Sequence, residues 1–564
     1  MRKINSKTRY VTISLVIAAV TIWGYIFAEQ YAKNKMDTTI RFSKTSGFYE
    51  SPFEVELSVG SSYFLTYTLD GTEPTIDSER YESPIHIYDA SENDNVWSAK
   101  KEISPWHFLE DDKDIHALPK EKVDKCTILR ATAFDYNGNK VSSMTQAYFV
   151  GFDNKPGYDG LYTVCITPEP ADYFDENTGI YSLGSDFRER IDNGDFSGWS
   201  LQREGSYANF MRRGREYERK ANLEVFDPSH ELILDTVCGT RVRGHGSRFY
   251  PQKTLSCVSR EEYSGSDYFD WDIFEEGVGP HNFLVFNGGN DADVKIIDYL
   301  VYTALSSDDM TLPATKLFPC NCFIDGEYWG PMFIMEDLNS EYIARRLGVS
   351  EDNVRLLKSL EYDGDETIAA TGKDYDDWVS LEEFIKNNDM SNEDNFSYVC
   401  DRMDIEDFAN YAAIEIYIGN RDWHFDNNFA SWRLEKSEKQ SEYADGKWRF
   451  AIFDINWAFQ PDEVIADDQY EEWDCYDMVR KLMANNEFKV LFENRVDELA
   501  IAFSNERVEG IINTWFSLME EPMKCYYTRF CDRTGVENQT DSEIDQIKDF
   551  LDNRDETVKL IFGL

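Results

Sequence analysis

The sequence predicts an α+β chain: a small antiparallel β-sandwich, then a larger domain of mixed strands and helices, both behind one N-terminal apolar span. Three observations carry this. Residues 10–28 form an uncharged run, bounded by Arg9 and Glu29, that is just long enough to cross a hydrocarbon core at about 1.5 Å per residue. Residues 53–59 alternate with period two and are followed by further β-rich runs at 63–69 and 128–134, with turn signals at Asp70-Gly71 and Asn137-Gly138. From residue 160 strands and helical stripes mix, and beyond residue 485 the apolar spacing is helical almost to Leu564. The 564 residues suggest two to four domains, and 42% apolar with 15% aromatic residues exclude disorder as the main theme. A formal charge of −49 excludes a general nucleic-acid binder, because such a surface repels phosphodiester backbones.

Arg2, Lys3, Lys7 and Arg9 precede the span, and Trp23, Tyr25 and Phe27 lie toward its far end, where amphipathic rings favour the interface. The expected layout is a cytoplasmic tail (1–9), a transmembrane anchor (10–28), a sandwich (36–155) and a mixed domain (156–564) outside the cytoplasm. A cleaved signal peptide is the alternative, but no convincing small-x-small site stands near Ala28. In the sandwich, residues 88–125 read as a charged insertion with little β pattern. Ten cysteines are spread too thinly for a dense disulfide framework, although Cys525 and Cys531 are spaced to allow a pair.

In the mixed domain, residues 293–305 carry a helical stripe of Val294, Ile297, Val301 and Ala304, with Asp291 or Asn290 as the cap. Residues 322–334 read as a hairpin turning at Asp325-Gly326. Asp404 starts a further helix that ends near Gly419. Three segments carry chemistry. Asp422 lies in the loop behind that helix with Asn427 five positions on, a spacing suited to accepting a hydroxyl proton and offering a neutral oxygen to Mg²⁺. A buried run delivers Asp454, a carboxylate fit to clamp a metal on phosphate oxygens, and a polar hairpin (435–446) lets the two segments lie on adjacent strands. Earlier, Gly244, Gly246 and Ser247 form a turn where backbone can approach an anion, and Lys253 follows on a strand. Glycine turn and Lys, hairpin, helix, Asp-x₄-Asn, then strand-borne Asp is the order of working parts in a protein kinase, which makes the mixed domain an atypical bilobal kinase-like fold.

The sequence resembles the spore-coat protein H (CotH) kinase-like family over roughly residues 160–560. The matching text is Arg243-Gly-His-Gly-Ser-Arg248 with Pro251-Gln-Lys253, Gly326-Glu-Tyr-Trp-Gly330 with Met335-Glu-Asp-Leu338, Asn420-Arg-Asp-Trp423 with Asn427-Asn428, and Gly446-Lys-Trp-Arg449 with the run to Asp454. The resemblance implies a catalytic Asp422, a metal held by Asn427 and Asp454, and nucleotide binding by Lys253 with the glycine turn. It also places Glu336 at the hinge of the nucleotide pocket. Asn456 stands where many members carry a second Asp, and His424-Phe425 replaces a Pro-containing turn. Asp298 is the one acid to suggest as a partner of Lys253. Residues 67–74 with 131–134 resemble the chitobiase/β-hexosaminidase C-terminal-like module of secreted bacterial proteins, which implies a spacer or docking role.

The leading expectation is a single-pass protein of the bacterial cell membrane with an extracytoplasmic atypical kinase domain. It would use ATP with Mg²⁺ or Mn²⁺ to phosphorylate hydroxyls of a protein at the cell surface. A non-catalytic surface binding or scaffold protein on the same fold is the alternative, since ATP is scarce outside cells. A glycan-active enzyme is a lesser one, for which two nearby acids are required.

Overall fold

The computed structural model describes Trp23 and residues 35–105, 118–194, 208–275, 277–306, 310–358, 373–425, 428–435, 441–460, 474–530 and 536–564. The chain divides into two bodies: residues up to 93 with 124–154, and residues 94–123 with 155–564. The expected span at 10–28 lies outside the described residues except for Trp23. No helix among the described residues is long and apolar enough to cross a membrane.

The first body is all-β, as its alternation predicts. A five-stranded sheet runs in the order Gly47–Tyr49, Lys140–Val150, Thr127–Asp135, Tyr63–Thr68, Glu79–Arg80. The expected strand over 53–59 is divided: Phe53–Val55 pairs with Ile85–Ile87, and Leu57–Ser58 pairs with Arg41–Phe42. Ser43 accounts for the break, because its N–H donates to the Glu56 carbonyl (2.9 Å) while its Oγ accepts from the Glu56 N–H (2.8 Å). Asn137-Gly138 forms the expected turn, with Gly138 at φ 88° and Asp135 accepting from the N–H groups of Asn137 and Asn139.

The second body begins with a closed seven-stranded barrel: β1 (Tyr162–Pro168), β2 (Arg219–Phe226), β3 (Leu232–Val242), β4 (Leu255–Val258), β5 (Asn282–Phe286), β6 (Leu317–Ile324) and β7 (Glu327–Glu336). Its strand order is β1-β2-β3-β4-β5-β7-β6, and β1 and β6 close it by pairing in parallel. The β6–β7 hairpin turns at Asp325 (φ 46°) and Gly326 (φ 79°), the two left-handed residues that a two-residue turn demands. Leu223, Cys257, Phe283, Cys322 and Phe333 are fully buried. Of the charged insertion read over 88–125, the described residues of 94–105 and 118–123 belong to this body. The N–H groups of Val96 (2.7 Å) and Ser98 (2.6 Å) donate to the Glu327 carboxylate, and Trp97 stacks on Phe174 at 5.5 Å.

Helix α1 (Ile297–Leu305) starts later than the stripe suggests. The cap position is Ile296, not Asp291 or Asn290, and it makes no side-chain cap bond; Asp291 instead accepts from the N–H of Lys295 (3.0 Å) and of Ile297 (2.6 Å), and Lys295 takes a left-handed φ of 63°. Beyond the barrel, Asn339 caps α2 (Ser340–Leu347), and β8 (Val354–Lys358), β9 (Ala430–Leu434) and β10 (Arg449–Phe450) make an antiparallel sheet. Helix α3 (Ile405–Ile418) is capped by Asp404 and ends at Gly419 (φ 60°) in left-handed form. It is buried nearly all round, so it forms the centre of the helical half. The end of the chain is helical as expected, with α4 (Asn505–Phe530) the longest element.

Candidate active site

Two loops meet behind α3. The first follows Gly419. Glu415, on the last turn of α3 and fully buried, accepts from Asn420 Nδ2 (2.9 Å), and Asn420 Oδ1 in turn accepts from the Asp422 N–H (3.3 Å). Trp423 anchors the loop by donating its indole N–H to the Tyr411 hydroxyl (2.8 Å). Asp422 is thereby held on a fixed support, and Asn428 Nδ2 donates to its Oδ2 at 3.1 Å. The second loop follows β10, where the expected buried strand is only two residues long and Asp454 lies four residues beyond it. Asn456 Nδ2 donates to Asp454 Oδ1 (2.5 Å), and Asn456 Oδ1 accepts from the Asn290 N–H (2.9 Å). The loops are stitched together by Arg421 N–H to the Trp457 carbonyl (3.2 Å) and Phe459 N–H to the Ile418 carbonyl (2.7 Å). Asn428 (φ 56°), Asp454 (55°) and Phe459 (59°) are left-handed without being glycine, a cost that the surrounding bonds sustain and that collects at functional sites.

Asp454 is exposed to solvent, yet protein surrounds it closely enough that burial is the largest cause raising its carboxyl above the usual range. An open carboxylate with a dense surround is what a cleft produces. The charge of Asp422 raises it further, while those of Lys358 and His245 pull it back. Asp422, Lys358 and His245 therefore all lie within electrostatic reach of Asp454. Behind Asp454 stand two more acids. Burial drives the Asp298 carboxyl well above its ordinary value and Glu415 to about 8, with the Asp454 charge acting on both. Neither oxygen of Asp298 has a hydrogen-bond partner among the described residues, and the Tyr302 hydroxyl has none.

Asp422 and Asp454 lie within electrostatic reach of one another, and other expected residues are placed elsewhere. Lys253 does not reach this cleft: it is fully buried, and its Nζ donates to the carbonyls of Arg248 (2.6 Å) and Tyr250 (2.7 Å) beneath the face of Phe210 (4.1 Å). It holds the glycine turn from inside, so the phosphate contact expected of it is not made. Asp298 is not its partner. Glu336 does not line a pocket either, because its buried carboxylate is engaged by Arg346 Nη2 (2.7 Å) and Arg345 (3.5 Å). Asn427 lies outside the described residues, and the amide oriented on Asp422 is that of Asn428. In the glycine turn, Gly244 takes φ 99°, and a Cβ there would sit 2.3 Å from Ser247 Oγ, so this position admits only glycine. Gly246 opens the short helical turn Gly246–Phe249 that carries Ser247. His245 is exposed, and its charge acts on Asp454.

Lys358 was missed. It ends β8, donates Nζ to the Leu338 carbonyl (3.2 Å), and lies 4.5 Å from the centre of the Phe453 ring. No motif marks it; only the pairing of β8 with β9 brings it beside Asp454.

A family model described as CotH kinase protein matches residues 240–558, more than half of the chain. The chain belongs to the CotH kinase protein family. The CotH match begins at the end of β3 and takes in every cleft residue named above. A second model, described as Fn3 associated, matches residues 55–148, within the stretch read as a β-sandwich. No curated protein matches the chain.

Proposed function

We propose that this CotH protein is an ATP-dependent atypical protein kinase that transfers the γ-phosphoryl group to a protein hydroxyl. The observation that carries the reading is the cleft in which Asp422 and Asp454 face one another, each with an amide fixed upon it. The donor set fits a hard divalent cation. Asp454 is exposed, with Oδ1 bonded to Asn456, and the nearby Asp422 is also acidic; burial and then the Asp422 charge raise Asp454, and Mg²⁺ or Mn²⁺ would relieve that repulsion. No group of three or more His, Cys, Asp or Glu side chains among the described residues forms a closed metal cage. Magnesium bound through one or two carboxylates, with substrate phosphates and water, does not need one.

When bound, the ion supplies charge neutralisation between the phosphates. The chain's own residues do the rest. Asp422, oriented by Asn428, accepts the proton of the incoming hydroxyl at a carboxylate oxygen. Asn456 holds Asp454 in its left-handed position, and Lys358 adds a point charge on the other side of Asp454. His245, in the glycine turn, adds a charge that acts on Asp454. Residues 10–28 anchor the chain in a bacterial cell membrane, with the kinase domain outside the cytoplasm and a surface protein as substrate. The basic residues before the span and its uncharged length support this topology.

The test is incorporation of radiolabelled phosphate from ATP beside calorimetric nucleotide binding, on the full chain in detergent with Mg²⁺ or Mn²⁺. Asp422→Ala loses transfer and keeps nucleotide binding, because its role is confined to the transition state. Asp454→Ala loses both. Equal activity in wild type and both variants refutes the mechanism. Binding without transfer in the wild type leaves a non-catalytic binding protein, a reading that the sealed position of Lys253 favours.

A further inference from the structure

Helix α5 (Val536–Leu551) lies against the supports of both cleft loops. Its Ile544, Ile547 and Leu551 are buried. Phe550 fills the space beside Gly419, the turn from which the Asp422 loop leaves: a Cβ on that glycine would sit 2.5 Å from the Phe550 ring. The same ring meets Phe459 edge-on at 5.7 Å, and one turn back Gln546 Nε2 donates to the Phe459 carbonyl (3.2 Å), in the loop that carries Asp454. The following helix, α6 (Arg554–Phe562), adds Arg554. Its guanidinium donates to the Ile416 and Tyr417 carbonyls at the end of α3 (2.8 Å each) and lies over the Phe550 ring at 4.2 Å. A third contact of α5 is chemically different. Glu543, one turn before Gln546, makes a side-chain hydrogen bond with Asp291.

Two carboxyl groups share a hydrogen bond only when one of them carries a proton. Asp291 is 5% exposed and already accepts the N–H groups of Lys295 (3.0 Å) and Ile297 (2.6 Å), so Glu543 adds a third bond to a carboxyl almost shut off from water. Asp298 on α1 and Asp293 beside the turn add negative charge around the pair, and Tyr527 of α4 donates to the Asp293 carbonyl (2.6 Å). Lys295 presents its N–H to Asp291, but its amine donates to Gln252 (2.9 Å) and to the Asn287 carbonyl. The turn that Asp291 closes, Gly289–Asp291, is pressed against Asn456. A Cβ at Gly289 would lie 2.5 Å from the Asn456 amide nitrogen, and the Asn290 N–H donates to Asn456 Oδ1 (2.9 Å). We propose that Glu543 is a positioning residue for the cleft: the proton it shares with Asp291 latches α5 to the turn that sets Asn456, and Asn456 in turn sets Asp454. Burial raises both carboxyls of the pair above their ordinary range. The pair therefore keeps a proton that the unfolded chain, with carboxyl values of about 4, has lost. The latch is full below that value and is released as pH rises through the raised one. Its effect on nucleotide rests on Asp454 holding the metal, as proposed above; the latch itself does not.

The experiment follows the full chain in detergent as wild type, Glu543→Gln and Glu543→Ala, from pH 6 to pH 9. Hydrogen exchange of residues 288–297, corrected for the intrinsic rate at each pH, reads the latch through the amides of Asn290, Lys295 and Ile297. Calorimetry with ATP and Mg²⁺ reads the cleft. Glutamine keeps a hydrogen-bond partner for Asp291 without the titrating proton, and alanine removes the contact. In the wild type, protection of the turn and nucleotide affinity should fall together as pH rises. Relative to it, Glu543→Gln should bind nucleotide equally at pH 6 and about threefold or more tightly at pH 9, the scale of one hydrogen bond. Glu543→Ala should be weaker by about the same factor at pH 6 and converge on the wild type at pH 9. A residue that only packs would give ratios that do not change with pH, and that result overturns the proposal. So does protection of the turn that stays constant across the range, or a glutamine variant that behaves as alanine. Protection that falls with pH in a wild type unable to bind nucleotide supports the latch and removes the reading of Asp454.

Discussion

Replacing Lys253 by Met separates the two roles this lysine can have. The substitution keeps a long unbranched side chain in the core and deletes the amine. Two buried carbonyls, those of Arg248 and Tyr250, then lose their donor, and each orphaned acceptor costs about 1–3 kcal/mol. The contact with Phe210 disappears as well. The expected loss is roughly 2–4 kcal/mol, most of the damage falling on the glycine turn. A pH dependence accompanies it. Burial, with the Arg248 guanidinium nearby, holds the Lys253 amine well below the ordinary lysine range. Between that lowered value and the unfolded value of about 10.4, the unfolded chain binds a proton that the folded chain does not, so stability rises with pH across this window. Denaturant unfolding of wild type and Lys253→Met at pH 7.5 and 9.5 measures both effects: a lower midpoint for the variant, and loss of the upward slope. Nucleotide affinity, measured on the folded variant, should change by less than threefold. A variant of undiminished stability that binds ATP tenfold more weakly would refute this reasoning and return Lys253 to the phosphates.

Three other outcomes are expected. Glu415, raised to about 8 by burial, holds its proton in the folded chain where the unfolded chain has lost it, so its contribution is full below about pH 4.5 and disappears as pH rises through 8. Glu415→Gln keeps the acceptor for Asn420 and should flatten the stability curve over that window by roughly 3–5 kcal/mol, read from denaturant unfolding at pH 5 and 8.5. Asn456→Ala removes the amide that orients Asp454 and should cut metal-dependent nucleotide affinity about tenfold or more, by calorimetry. Lys358→Met should weaken the same binding while leaving the apo thermal midpoint within about 2 °C, since the methionine stem keeps the packing against Phe453.

Much of this architecture was legible in the residues. The Asp325-Gly326 turn, the helix from Asp404 to Gly419 and the sandwich hairpin at Asn137-Gly138 each rest on local conformational preference, and the chain obeys it. The pairing of Asp422 with Asp454 was legible because a polar hairpin places their segments on neighbouring strands. What resisted reading depends on direction in space. Period and spacing place Lys253 near a strand but cannot say that its side chain turns inward to carbonyls. Glu415 sits on a helix buried on nearly every side, so no polar face existed to predict it. The Lys358 position depends on a strand pairing between segments some 75 residues apart, roughly the scale at which local signals fall silent.

The parallel seam of the barrel has a kinetic consequence. It joins Tyr162 to Cys320 and Ile166 to Ile324, so the first barrel strand must wait while about 150 further residues emerge before its last neighbour exists. Until then its pairing groups are held on one side by β2 alone, with the other edge exposed. Contacts this distant in sequence slow folding, because loop-closure entropy is spent before pairing repays it. A chain made from its amino terminus onward therefore spends this interval with an incomplete barrel, and the time between emergence and seam closure is when it is most open to aggregation or proteolysis.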